Sequence, residues 1–409
     1  MKKTVNIVLI ALLSSPLPSN PVNAQDVTGG GTSKVARAVT RFGFHLFSKL
    51  VKNDERKNVF ISPTSISLAL AMTCNGAEGS TQLAMSRTLG MDSLDIPEVN
   101  DSYDSLLSFL SHPDSLVQLQ IANSIWANKD FIFKSDFIDK SNTHYRAEVQ
   151  NLDYADPSSP PAINSWVSQK THGKITKIVD RIEPDALLIL LNAIYFKGVW
   201  SDKFDGKNTR DKDFHLPGGG EKKVRMMRRA GQYQYLRGYK FQAISLPYGT
   251  GRMSLDVVLP DSGVLPEEFY GKILNKQNWE ELLSQLQLMQ GTIELPRFKL
   301  ENDFRLNDPL ISLGMGEAFD PSRADFRGMC YVNGDQIVYI SEVLHKTYVE
   351  VNEEGSEAAA VTKVEMAQTA GLQPSPPPPF RMIVNRPFFV AIRDNTTGLL
   401  LFIGSIVDP

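Results

Sequence analysis

The sequence predicts an α+β fold in one domain, and three observations carry that reading. Helix-patterned segments (residues 34–52 and 62–76) and strand-patterned segments (117–126 and 187–196) are both present. Two apolar runs, residues 382–392 and 399–409, close the chain as buried strands around the turn Asp394-Asn395-Thr-Thr-Gly398. Composition shows no seam. At 409 residues two domains would be the default, but the one proline-rich linker candidate, residues 374–379, leaves only about thirty residues after it.

Residues 1–24 have the organisation of a secretory signal: Lys2 and Lys3, an apolar run at 7–13, and Val22-Asn23-Ala24 before Gln25. A polar stretch at 25–34 precedes a domain over 35–409, expected to be secreted into an extracellular or periplasmic space. Past the signal, no apolar run approaches the roughly 20 residues of a membrane helix. A net charge of -3 argues against nucleic acid as a partner. The two cysteines, Cys74 and Cys330, could pair after export, but Cys74 lies in an apolar helical run, where a buried free thiol is the expectation.

Ser62 before Pro63 is an N-cap with proline at the first helical position, and Gly76 a stop. Residues 81–111 read as helical and acidic, 131–145 as helical, 255–260 and 291–298 as strands. Asn192 sits inside the nearly continuous apolar run 187–196, so its amide must find buried partners. The only basic cluster, residues 222–229, interleaves apolar side chains and reads as a solvated strand face, with a polyanion site as the alternative.

After a strand-like run at 337–351 comes Glu353-Glu354-Gly355-Ser356-Glu357-Ala358-Ala359-Ala360, continuing to Gly371. At period two, Ser356, Ala358, Ala360, Thr362, Val364 and Met366 share one uncharged face, and the opposite face holds the charges Glu357, Lys363 and Glu365. That is a half-buried strand. The alanines also suit a helix, so the segment reads as an exposed loop in one state and a strand in another.

No catalytic constellation is present: no G-x-S-x-G, H-E-x-x-H, P-loop or G-x-G-x-x-G occurs, and the six histidines are scattered. No enzyme activity, cofactor or metal is expected.

Residues 353–360 resemble the hinge of the reactive-centre loop of serpins, the serine-protease inhibitors. Ser62-Pro63, the string 191–200 from Leu191 to Trp200, residues 163–175 with Trp166 and His172, and the run 382–392 resemble further motifs of that family, in family order. The resemblance implies three β-sheets, about nine helices and a reactive-centre loop over about 353–380. It implies a shutter of Ser62, Ser65, Asn192 and His345, and a breach with Trp200 and Arg297, Arg297 pairing with Glu353.

It further implies a monomeric suicide-substrate inhibitor of a serine protease, or of a cysteine protease, which traps its target in a covalent 1:1 complex by loop insertion. Counting from Glu353 puts the reactive bond at Thr369-Ala370, with Ala370-Gly371 and Leu372-Gln373 as alternatives through Gly371, Leu372 and Gln373. Thr369 or Ala370 there suits the small pocket of an elastase-like or subtilisin-like protease, while Leu372 or Met366 would suit a chymotrypsin-like one. Heparin binding is not expected, because the acidic 81–111 segment lacks the basic helix some members use. The runner-up is a non-inhibitory member, a chaperone or carrier; a secreted binding module is a further alternative.

Overall fold

The computed structural model describes residues 30–53, 55–111, 114–183, 185–331, 337–356 and 378–409. The signal-like segment and residues 357–377, with the proposed reactive bond, lie outside the described residues.

The described residues begin with α1 (Gly30–Asn53), β1 (Val59–Ile61), α2 (Pro63–Cys74), α3 (Gly79–Leu89) and α4 (Ile96–Leu110). Residues 30–34, assigned above to the polar stretch, are already helical, and Thr32 is buried. The Ser62 hydroxyl accepts from Ser65 N–H to cap α2, every residue of which is buried. The segment 81–111 is two helices rather than one: Gly90 takes the left-handed conformation (φ 71°) that ends α3, and Asp95 caps α4.

Then follow β2 (Val117–Asn128), β3 (Ile132–Phe133), α5 (Ser135–Tyr145), β4 (Glu148–Leu152), α6 (Ser159–Lys170) and β5 (Leu188–Val199). The expected helix at 131–145 starts late, since Ile132 and Phe133 pair with residues 330–331 instead. Next come β6 (Arg210–His215), β7 (Glu221–Gly238), β8 (Phe241–Tyr248), β9 (Met253–Pro260), a short α7 (Pro266–Glu268), α8 (Lys276–Ser284), β10 (Gln287–Pro296), β11 (Phe298–Arg305) and α9 (Asn307–Leu310). The single strand expected at 291–298 is the junction of β10 and β11, broken at Arg297. The chain ends with β12 (Cys330–Tyr331), β13 (Ile340–Val351), β14 (Gly355–Ser356), β15 (Phe380–Ile383), β16 (Phe388–Asp394) and β17 (Leu400–Ile406).

Among the described residues these strands form three sheets. Nine follow the order β1-β17-β16-β9-β8-β7-β10-β15, with β6 on β7; six follow β11-β13-β5-β2-β4, with β14 on β5; β12 and β3 form the third. β5 is therefore central. Leu188, Leu190, Ile194 and Phe196 point into the main core, while Ile189, Leu191, Ala193 and Tyr195 point into a second cluster with Trp126, Trp166 and Ile163. Burial on both faces explains its continuous apolar run. Cys74 and Cys330 are buried free thiols.

Candidate functional site

Along the middle of the six-stranded sheet β5 and β13 run parallel, from Leu188 opposite Ile340 to Tyr195 opposite Tyr348. Parallel pairing is slightly weaker per residue than antiparallel. The seam is held at its centre by side chains. His345 lies opposite Asn192 in that ladder, and Asn123 lies opposite Asn192 on the other side.

The backbone N–H of Ser62 donates to His345 Nε2 at 3.1 Å. An amide can only donate, so the proton sits on Nδ1, which donates to Asn192 Oδ1. The Asn192 amide nitrogen donates to Ser65 Oγ and to Asn123 Oδ1. All five residues are buried. Burial depresses the His345 pKa to about 3, keeping the ring neutral. Ser62, Ser65, Asn192 and His345 are thus in one network. Asn123 was missed, although an asparagine in the apolar half of β2 carries the same signal that singled out Asn192.

At the upper end of the seam β13 turns back on itself. Asn352 and Gly355 exchange backbone hydrogen bonds (2.8 and 3.2 Å), and Asn352 Oδ1 accepts from Glu354 N–H. The returning residues pair antiparallel with β5, Gly355 opposite Val199 and Ser356 opposite Gly198. Gly355 has φ +142°, and a Cβ there would lie 2.0 Å from the Gly198 carbonyl oxygen, so only glycine fits. Ser356 is fully buried, its hydroxyl 2.8 Å from the Tyr248 hydroxyl.

Trp200 closes this end. Its ring stacks on Tyr248 (centroids 4.4 Å apart, 9° between planes), and its indole N–H donates to the Asn352 carbonyl at 2.9 Å. Arg297 Nε and Nη2 both donate to one oxygen of Glu353, Oε1, at 2.9 and 2.6 Å, rather than forking across both oxygens. Thr209 donates to the same oxygen, and Lys203 pairs with Glu354. Burial acts to raise the Glu353 pKa, but the Arg297 and Thr209 hydrogen bonds outweigh it and hold the carboxyl below its ordinary value. Tyr248, Thr209 and Lys203 were not picked out from the sequence, since each lies more than a hundred residues from its partner and no local pattern marks it.

Of the hinge residues the structure therefore fixes Glu353, Glu354, Gly355 and Ser356; Glu357, Ala358, Ala359 and Ala360 lie outside the described residues. Trp166 and His172 stay away from this site: the Trp166 ring packs edge-on against Trp126 and donates to Glu148, and His172 sits in a turn with φ 52°. No cluster of three or more metal-ligating side chains occurs among the described residues.

Residues 37–409 match the family described as Serpin (serine protease inhibitor), and the chain belongs to that family. It is 35% identical over 389 residues to a leukocyte elastase inhibitor of Sus scrofa, covering 92% of this chain and 100% of that protein. It is 32% identical to an uncharacterised serpin-like protein of Thermococcus kodakarensis, covering 100% and 99%. Among solved structures, human thyroxine-binding globulin with thyroxine superposes with a TM-score of 0.84 at 27% identity, covering 93% of this chain and 100% of that one. The native-state thermophilic serpin tengpin gives 0.81 at 31%, covering 97% of each.

Proposed function

We propose that this serpin inhibits a serine protease by offering residues 357–377 as a substrate and inserting the cleaved segment between β5 and β13. The observation that supports this most is the antiparallel seating of Gly355 and Ser356 on β5. Continued in the same register, Ala358, Ala360, Thr362, Val364 and Met366 come level with Phe196, Ile194, Asn192, Leu190 and Leu188, the β5 residues whose side chains face the main core. The uncharged face of the segment then enters the core, and Glu357, Lys363 and Glu365 fall on the α6 side. An inserted strand replaces one parallel pairing with two antiparallel ones. At about 0.5–1.5 kcal/mol net per ladder hydrogen bond, the gain is on the order of 5–10 kcal/mol before side-chain burial.

In the inhibitory cycle the protease serine attacks the scissile peptide and forms an acyl bond to the loop. Cleavage frees the hinge side to insert, the tethered protease is carried along, and its deacylation machinery is distorted. Residues Ser62, Ser65, Asn192 and His345 act as the shutter that must part, and Trp200 with Arg297 as the breach where insertion starts. The reactive bond is Thr369-Ala370, with Ala370-Gly371 and Leu372-Gln373 as alternatives. An elastase-like or subtilisin-like target fits Thr369 and Ala370, and the relatives named leukocyte elastase inhibitors support that choice.

A carrier role is the second reading, favoured by the superposition on thyroxine-binding globulin. The small uncharged residues after Ser356 weigh against it. Incubation with pancreatic elastase and with subtilisin, followed by denaturing electrophoresis, separates the readings: a covalent 1:1 complex is expected, and clean loop cleavage without complex sinks the inhibitory reading. The signal-like residues 1–24 support export, which is checked by whether the exported protein begins at Gln25.

A further inference from the structure

The basic run on β7 is not uniform. Lys222, Lys223 and Arg225 each face an acid: Asp408, Asp213 and Asp211. Arg228 belongs to a different arrangement. β6, β7, β10 and β15 lie side by side, with Arg210 opposite Met226, Arg228 opposite Glu294, and Arg381 opposite Thr292. At period two this register puts Arg210, Lys212, Arg228, Glu294 and Arg381 on one face of the sheet.

Lys212 pairs with Glu294, Arg381 Nη2 lies 3.4 Å from that carboxylate, and Arg228 Nε lies 4.0 Å from it. The Glu294 side chain is 2% exposed, whereas those of Arg228 and Arg381 are 61% and 66% exposed. Arg210 directs its Nη1 to the backbone carbonyls of Lys207 and Thr209. Three cations thus surround one carboxylate, and with Arg210 beside them the group carries an excess of three positive charges on a chain whose net charge is -3. Together they line a cavity of about 520 Å³.

We propose that this cavity is a second docking site for the target protease, taking an acidic surface patch beside the protease's cleft. Two observations select that occupant. Pro379 and Phe380 line the same cavity, and Phe380 is fixed against Tyr235 with ring centroids 3.8 Å apart, so the chain passes from the reactive segment directly into this site. A protease bound at Thr369-Ala370 would be joined to this cavity by the ten residues of chain that lead to Pro379. The excess charge is also compact. On β7 the neighbouring Lys222, Lys223 and Arg225 are matched by acids and Arg229 is taken up by the Phe204 and Tyr233 rings, so no stripe extends along the sheet for a long polyanion to follow. A cluster facing carboxylates accelerates encounter and loses its effect in salt.

This inference rests on the inhibitory reading above, and the test separates the two. Association rate constants for covalent complex formation are measured at roughly 50 and 500 mM salt. Two trapped proteases are used, one acidic and one basic beside the cleft, with wild type, R210E/R228E/R381E, and the milder R210Q/R228Q, which leaves Lys212 and Arg381 on Glu294. The acidic protease should react about tenfold or more slower with the charge-reversed variant at low salt. The neutralised variant should fall between, the difference should vanish at high salt, and the basic protease should show no slowing. The stoichiometry of inhibition should stay unchanged throughout. Equal rates for all three proteins with both proteases, while complexes still form, overturn the docking site and leave the inhibitory reading standing. Absence of any covalent complex overturns both. Variants that lose retention on immobilised heparin but keep wild-type rates make the cavity a polyanion site and overturn the proposal.

Discussion

At Asn192 one amide ties three parts of the fold together: the start of α2 through Ser65, β2 through Asn123, and β13 through His345. Because His345 holds its Nε2 lone pair toward Ser62 N–H, protonation breaks that contact and places a cation in the core. Its pKa is about 3 folded against 6.5 in the open chain. Between those values the unfolded state binds more protons, so stability is lost as pH falls from about 6.5 toward 3, by at most about 1.4 kcal/mol per pH unit. Urea titrations from pH 7 to 4 should show that slope, and His345→Asn should remove it; an unchanged slope in the variant contradicts the assignment. Ser356 offers a second test at this scale. It is fully buried against Tyr248, so Ser356→Arg drives a guanidinium into the interior at a cost of about 3–5 kcal/mol. Urea melts of the intact protein should show that loss of stability, because Ser356 is already seated on β5 before any cleavage; an unchanged midpoint would contradict its burial.

At the scale of elements, the proposed insertion rests on the parallel β5–β13 seam and the hairpin that starts β14. Much of this was legible. The unbroken apolar run 187–196 announced a strand buried on both faces, and Asn192 within it announced a polar network. Of the period-two faces read over 356–366, only Ser356 lies among the described residues, where it is buried. Other features were not legible, for physical reasons. A helical pattern cannot show that Gly90 goes left-handed, nor that Ile132 and Phe133 have strand partners two hundred residues away. Tyr248 reaches Ser356 only because β8 ends beside Trp200, a tertiary fact with no local trace. The proposed reactive segment would restrict the target. Between Val364 and Gln373 it holds no Lys or Arg, so the S1 carboxylate of a trypsin-like protease finds no cation. Elastase-like or subtilisin-like enzymes should form the complex fastest and trypsin slowest, and mass spectrometry of the released fragment should place the cut at 369–373. Rapid trapping of trypsin, or cleavage after Arg381, contradicts that assignment.

At the scale of the whole molecule, the proposed inhibition requires a metastable native state. The sheet is closed by a parallel seam, a buried neutral histidine and a stacked Trp200–Tyr248 lid, and Gly355 and Ser356 are the described residues of the strand that would complete it. A cut in the reactive segment should therefore release the chain into a more stable arrangement, the opposite of what nicking does to an ordinary protein. Side-by-side thermal melts of intact protein and of protein nicked within residues 366–372 test this most directly. The account expects the nicked form to melt well above the intact one, and a nicked form that melts at the same temperature or lower would contradict it.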